Sequence, residues 1–368
     1  MRLLLSRCLA LLAGAVLSFS PLAGELPAAR IDAYMDAQLQ QRRIPGAALA
    51  VIAHGRPMLV KGYGLANVEH RVPVGVDTVF QSGSVGKQFT AAAVMLLVQD
   101  GKLGLDDPVR RFFPAAPPAW RRVTVRHLLS HTAGLPDDWP AGFDLRRDYA
   151  DAELTRRILA MPLDAAPGAR YRYSNPGYVL LGMLVGKASG RFYGDLLQER
   201  LFGPLGMATA RVIDEADIVP GRAAGYRLDG GRLKNQEWVS PSLNRTADGS
   251  LYLGLADWIA WDAALGKGWP LRPDSLAQLW QPMRLADGRL SEYGLGWELD
   301  SRGGHPRVWH DGAWQGFESY LSRRRDGSLS VVLLVNLAEA GVADIAEGLL
   351  DLLAAEGVGG AAQPGAGG

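Results

Sequence analysis

Ser84 stands three residues before Lys87 in the run Phe80-Gln-Ser-Gly-Ser-Val-Gly-Lys87. On a helix, positions i and i+3 share a face, so this amine can lie beside the serine hydroxyl. A serine hydroxyl is a poor nucleophile until a neighbouring group takes its proton. A lysine becomes that group when burial or another cation lowers its pKa. The chain is sparing with lysine, using six among 39 basic residues, and only Lys87 has a serine at the third position before it. A helix start adds free N–H groups for a developing oxyanion and a dipole that favours negative charge. Alone, the S-x-x-K spacing is a weak signal, since surface Ser and Lys reach it by chance.

Two more clusters carry possible chemistry. Tyr173-Ser174-Asn175, followed by Pro176-Gly177, could set a phenol base and an amide donor in a cleft. The same tripeptide also reads as an ordinary Asn-containing turn. His310-Asp311-Gly312 comes after the strand-like Arg307 to Trp309. A glycine there lets a substrate backbone pair closely with a sheet edge. The other reading is a half-buried imidazole between Trp309 and Trp314. His127 and His131 have the i, i+4 spacing of a zinc pair, but no Glu follows His127 and no third ligand stands out. The pair is expected to cap and pack a helix ending at Gly134, and the sequence calls for neither metal nor cofactor. No serine lies in a G-x-S-x-G elbow, which counts against a Ser-His-Asp triad. Trp258, Trp261, Trp297, Trp309 and Trp314 are expected mainly in the core.

The elements that must position these residues come in three blocks. Periodicity predicts a helix over 28–41, then strands over 47–53 and 57–63 joined by His54-Gly55-Arg56. A helix over 85–99 comes next, stopped by Gly101. From there to about Trp261 the chain reads mainly as helices and loops, with proline-rich breaks at 114–118 and 136–140. Strands return over 293–299, 307–310, 316–322 and 329–336, with turns at Gly303-Gly304 and Asp326-Gly327. A last helix spans 342–354. The economical packing is one antiparallel sheet built from both chain ends and flanked by helices, with an all-helical region inserted beside it, an α/β (α+β) fold. The sheet part is expected at about 25–84 and 290–356, the helical part at about 85–289, and the Gly/Ala-rich 357–368 as a disordered tail. The cleft between the two parts is the natural place for a site.

Composition bounds the rest. Hydrophobic residues make up 48% and charged residues 21% of 368, which suits a globular chain with ample core. A formal charge of +1 offers no general field for nucleic acid or an anionic membrane. Residues 1–24 read as an export signal: Arg2 and Arg7, an apolar stretch from Leu9 to Phe19, then small residues at Ser20, Ala23 and Gly24. That stretch is shorter than the ~20 residues of a membrane span. A periplasmic or secreted protein with no stable membrane span after cleavage is the expectation. Cys8, the only cysteine, lies in this segment behind an arginine unsuited to lipid attachment. The mature chain then has no thiol nucleophile, disulfide or Cys-bound zinc.

With S-x-x-K, Y-x-N and H-x-G in this order, the chain resembles the serine β-lactamase and penicillin-binding-protein superfamily, in its class C β-lactamase, D,D-peptidase and esterase branch. Phe80 to Thr90 looks like the nucleophile segment, and Gly101-Lys-Leu-Gly-Leu-Asp-Asp-Pro108 like the segment after it. Val123 to Leu135 is similar to the signature helix, Tyr171 to Gly177 to the tyrosine motif, and Pro204-Leu-Gly-Met207 to a further landmark. The likeness runs from about Ile31 to Leu352. It implies a β-lactamase-like fold with the site between the sheet and the helical region. It also implies acylation of Ser84, with Lys87 holding the proton network and Tyr173 as general base. Asn175 would donate to the substrate, and the N–H groups of Ser84 and Ala313 would form the oxyanion hole.

One departure bears on substrate. Where β-lactamases usually carry K-T-G, this chain has His310-Asp311-Gly312. His310 and Gly312 are still expected at the substrate, but a neutral His offers an anionic ligand little and Asp311 adds negative charge. Esters and D-amino-acid peptides therefore rank above β-lactams. A non-catalytic penicillin-recognising sensor is the reading of another class. The sequence leaves the natural substrate and the oligomeric state open.

Overall fold

The computed structural model describes residues 26–360. The export signal expected over 1–24 and residues 361–368 lie outside the described part. The first block is α1 (Ala28–Arg42), β1 (Gly46–Ala53), β2 (Arg56–Asn67), β3 (Val72–Pro73) and β4 (Phe80–Gln81). A middle block holds α2 (Lys87–Gln99), α3 (Val125–Leu129), α4 (Asp151–Leu159), α5 (Asn175–Ser189) and α6 (Tyr193–Leu197). It continues with β5 (Arg211–Val212), β6 (Tyr226–Asp229), β7 (Arg232–Asn235), β8 (Leu251–Leu253), α7 (Leu255–Lys267) and α8 (Pro273–Leu279). The last block is β9 (Glu298–Arg302), β10 (His305–Trp314), β11 (Phe317–Arg324), β12 (Leu329–Val335) and α9 (Val342–Ala355).

Strands from the two ends meet in one sheet of order β3-β2-β1-β12-β11-β10-β9. Every pairing in it is antiparallel, and β1 lies against β12 with Ala47 opposite Val335. These two central strands are apolar at nearly every position and buried throughout. That pattern belongs to a strand covered on both faces. On one face α1 and α9 pack through Ile31, Met35, Ile345 and Leu349. On the other, α2, α5 and α7 build the larger core around Phe89, Leu180 and Trp258. Trp258, Trp261 and Trp297 are core residues, as expected.

Four details differ from the sequence-based expectations. Residues 293–297 are bent rather than extended, and the strand begins at Glu298. Gly294 and Gly296 are the reason: a Cβ at 294 would fall 2.2 Å from Leu279 O, and Gly296 has φ +80° against the backbone of Lys87. The inserted region is not purely helical. It carries β5 and β8, which join β4 in a small sheet, and the β6–β7 hairpin. Strands of two to four residues are too short to show alternation. The helix expected to end at Gly134 stops at Leu129, and His131 takes a left-handed φ of 55°. Finally, residues 357–360 are folded back, with Val358 buried beside the terminal helices.

Candidate active site

α2 is apolar around most of its circumference, and Lys87 to Leu97 is buried without a break. A helix of that kind belongs inside a core. Its first residue is Lys87, so a charged side chain is carried to a place with no solvent exposure. Ser84 sits in the 3-10 turn Gly83–Gly86 that leads into α2, and it is partly exposed while Gly83, Val85 and Gly86 are buried.

Three acceptors surround the Lys87 amine: Ser84 Oγ at 3.0 Å, Asn175 Oδ1 at 2.7 Å and Asp248 O at 2.5 Å. Two of them, an amide carbonyl and a backbone carbonyl, only accept. A neutral amine has two N–H bonds and one lone pair. When both N–H bonds go to Asn175 and Asp248, the lone pair faces the Ser84 hydroxyl. Burial lowers the Lys87 pKa to about 8, while the carboxylates of Asp248, Asp137 and Asp311 pull it the other way. The neutral form is therefore accessible near neutral pH.

The tyrosine segment is clamped at each residue. Ser174 caps α5 by accepting from Gly177 N (3.3 Å) and donates to Pro136 O (3.0 Å). Ser174 N donates to His131 Nδ1 (3.1 Å), and Asn175 N to Asp137 Oδ1 (2.6 Å). The Tyr173 ring lies over the His131 ring at 4.2 Å, and its centroid is 4.9 Å from Lys87 Nζ. Burial holds the Tyr173 phenol well above its ordinary pKa, and a hydrogen bond with Ser84 opposes that shift. So the phenol is neutral at rest and close to Ser84.

β10 supplies the third side. It pairs with β11 along Arg307–Trp314 but with β9 only along His305–Trp309, which leaves the outer edge of 310–314 without a strand partner among the described residues. That edge meets the turn carrying Ser84. A Cβ at Gly312 would stand 2.5 Å from Ser84 N, and one at Gly83 would stand 2.6 Å from Ala313 N. The absence of side chains at these two positions brings the N–H groups of Ser84 and Ala313 to the border of one small space. His310 departs from the expectation that it contacts substrate. Its ring is buried, with Nε2 3.0 Å from the Tyr293 hydroxyl and Nδ1 2.5 Å from Asp311 O. Burial and the Lys87 charge bring its pKa to about 3, so it is neutral. His127 closes a capping box with Thr124 at the start of α3. Among the described residues, no group of three or more His, Cys, Asp or Glu side chains is placed to hold a metal ion. No described helix is long and apolar enough to cross a membrane.

Against known proteins, the family model described as Beta-lactamase matches residues 31–356. The chain belongs to the Beta-lactamase family. Among relatives of this Beta-lactamase-family protein, penicillin-binding protein 4* of Bacillus subtilis (strain 168) is 31% identical over 75% of the chain. A D-aminopeptidase of Gluconobacter oxydans (strain 621H) is 30% identical over 84% of it. The chain spans less than two thirds of the length of these curated relatives, 65% and 59% respectively. Two solved structures have the same fold. The octameric penicillin-binding protein homologue from Pyrococcus abyssi superposes with TM-score 0.77 and 28% identity, over 90% of this chain and 78% of that one. D-amino acid amidase from Ochrobactrum anthropi SV3, complexed with L-phenylalanine, gives 0.75 and 26%, over 89% and 99%.

Sequence reasoning missed Asp248 and Asp137. Asp248 offers its backbone carbonyl to Lys87, which any residue could do, so its side-chain type carries no signal. Its carboxylate Oδ1 is shielded from solvent and has no hydrogen-bond partner among the described residues, and burial raises its pKa. Asp137 sits in a loop where an acidic residue reads as solvated surface.

Proposed function

We propose that this Beta-lactamase-family protein is an exported serine hydrolase that works through an acyl-Ser84 intermediate on esters and small D-amino-acid amides or peptides. The observation that carries the reading is the buried Lys87 amine, held by two acceptor-only oxygens with its remaining direction toward Ser84 Oγ. Lys87 takes the hydroxyl proton as Oγ forms its bond to the substrate carbonyl carbon. The Ser84 and Ala313 N–H groups receive the oxyanion. Tyr173 gives its phenolic proton to the leaving amine or alcohol as the scissile bond breaks and regains one from the Lys87 ammonium, which returns to the neutral amine. In the second half a water gives its proton to the same pair and attacks the acyl carbon. The acid leaves and Ser84 regains its hydrogen. Asn175 both orients Lys87 and faces the cleft edge.

The substrate preference rests on charge and shape. The charged groups acting on Lys87 are carboxylates, Asp248, Asp137 and Asp311. Glu298, raised by burial to about 7, stands on the same side near Asp311. With His310 neutral, a substrate carboxylate meets repulsion and an α-ammonium group meets attraction. At the end of β10, a hollow of about 560 Å³ lined in part by Phe143, Trp238 and Trp314 suits an apolar group. The names D-aminopeptidase and D-amino acid amidase among the relatives agree with this class. The basic and apolar stretch within residues 1–24 supports export.

Purified protein and Ser84→Ala are to be compared on p-nitrophenyl acetate, D-alanine p-nitroanilide and nitrocefin. The expected result is turnover of the first two, weak turnover of nitrocefin, and loss of all three in Ser84→Ala with the fold intact. Wild-type turnover by Ser84→Ala would sink the proposal. A permanent penicillin adduct on Ser84 without turnover of any substrate would replace it with the sensor reading.

A further inference from the structure

One cavity among the described residues stands apart from the catalytic cleft. It lies in the helical region, between α4, α5 and α6, and measures about 1150 Å³. That exceeds the ~300–1,000 Å³ typical of small-molecule sites. Its walls are largely apolar, with Phe112, Leu159, Val179 and Met183 among them. Phe112, Met183 and Phe192 stay partly exposed there although they adjoin the main core. Around these walls stand Arg156, Lys187 and Arg245, all exposed. None of the three makes a salt bridge or a side-chain hydrogen bond with another described residue, whereas nearby Arg157, Arg191 and Arg200 each have a carboxylate partner. Lys187 and Arg245 rest instead on the rings of Phe113 and Phe192, at 5.4 and 4.6 Å. The one acidic residue of the lining is Asp151. An apolar chamber with uncompensated cations at its walls is complementary to an amphipathic anion.

The chamber also touches the catalytic lysine through one peptide segment. Thr246 and Ala247 line it, and Asp248 is the next residue. Tyr193, another wall residue, donates to Thr246 O at 2.8 Å. Thr90 on α2 donates to Ala247 O at 2.6 Å, and Lys87 to Asp248 O at 2.5 Å. Three successive carbonyls thus tie the chamber wall to the residue that orients the lysine lone pair. The fit is close: a Cβ at Gly182, on α5, would stand 2.5 Å from Ala247 Cβ, so the segment has little room to yield without moving.

We propose that this chamber is a second ligand site for an amphipathic carboxylate, an acyl chain or aryl group ending in one negative charge, and that its occupancy alters the rate at Ser84 through residues 246–248. The apolar part lies against Val179 and Met183, and the carboxylate is taken by Lys187 and Arg245. Binding at this site stands apart from the hydrolase reading, and only the rate effect depends on it.

Sodium decanoate is the probe, with decan-1-ol as its uncharged counterpart, followed by isothermal titration. Saturable binding of decanoate, equal in wild type and Ser84→Ala, is expected, with decan-1-ol at least tenfold weaker. The Lys187→Glu/Arg245→Glu variant loses at least tenfold in affinity, and so does Ala152→Trp, which fills the chamber from the exposed face of α4. Both variants keep the wild-type rate on p-nitrophenyl acetate without decanoate. In wild type decanoate changes kcat at least twofold, and in the variants it does not. Absence of saturable binding, equal binding of decan-1-ol, or undiminished binding by both variants would each overturn the site. Decanoate binding that is lost on acylation of Ser84 would place it in the catalytic cleft and overturn it as well. Binding as described with an unchanged kcat would overturn the coupling.

Discussion

Lys87 illustrates how one buried side chain is tuned by its surroundings. Desolvation is the largest influence on it and brings its pKa to about 8, from an ordinary 10.5. With the neutral amine as the proposed base, kcat/KM for p-nitrophenyl acetate is expected to climb with pH, reach half its maximum near pH 8 and level off above it, after correction for spontaneous hydrolysis. Lys87→Arg, which stays protonated, is expected to lose about 10²–10⁴-fold across the whole range. The same depressed pKa has a stability consequence. Between pH 8 and 10.5 the unfolded chain binds the proton that the folded one has released, so stability rises with pH across this window. Urea midpoints of wild type and Lys87→Met are expected to move in the wild type's favour from pH 8 to pH 10.5. Asp311 tests the charge argument. It is exposed on the cleft edge, so Asp311→Asn is expected to lower kcat/KM for D-alanine p-nitroanilide and raise nitrocefin acylation. Each change is about threefold to tenfold at low salt and fades at high salt.

At the scale of elements, the site depends on one strand passing one helix start without side chains between them. Gly312 carries no unusual φ; its role is clearance, since a Cβ there would lie 2.5 Å from Ser84 N. Gly312→Ala is therefore expected to push the Ser84 and Ala313 donors apart. The cost should be about 10²–10³ in kcat with a smaller change in KM, measured by steady-state kinetics on p-nitrophenyl acetate. The clamp on the tyrosine segment works similarly at a distance. His131 receives the Ser174 N–H and lies beneath the Tyr173 ring, a structural role of the kind expected for the His127/His131 pair. Its partner His127 is occupied by the Thr124 cap.

For the whole molecule, the two chain ends are interdependent. β1 from the start and β12 from the end are neighbours, and α9 lies across them with Ile345, Ala346, Leu349 and Leu353 buried. Leu349→Ala is expected to cost about 2–5 kcal/mol. It should lower the thermal midpoint while leaving kcat of the folded fraction unchanged, because α9 is on the opposite face of the sheet from Ser84. Thermal unfolding followed by circular dichroism, together with kinetics at low temperature, checks both parts. The inserted helical region, by contrast, meets the sheet along α2, α7 and the turn carrying Ser84. The proposed catalytic cleft thus lies where the two parts join.

Much of this was legible in the chain itself. Period-2 and period-3.6 patterns located α1, α2, α9 and the central strands, because those elements bury one side or all of their surface and their apolar residues record it. Ser84, Lys87, Tyr173 and Asn175, which the fold brings together, were visible because the chemistry proposed for them depends on side-chain type at fixed local spacing. Tertiary structure alone decided the rest. The lone-pair direction of Lys87 depends on a carbonyl 161 residues away, and a backbone carbonyl leaves no mark on residue type. His310 was read as a cleft residue, yet its ring is turned inward to Tyr293, since strand alternation does not tell which face will be buried until the sheet is packed. The residues 293–297 looked extended and are bent, because the glycines that fit them against α8 and α2 answer to neighbours distant in sequence. Local pattern specifies local geometry and chemistry. Only long-range packing sets which groups meet, and how far each is removed from water.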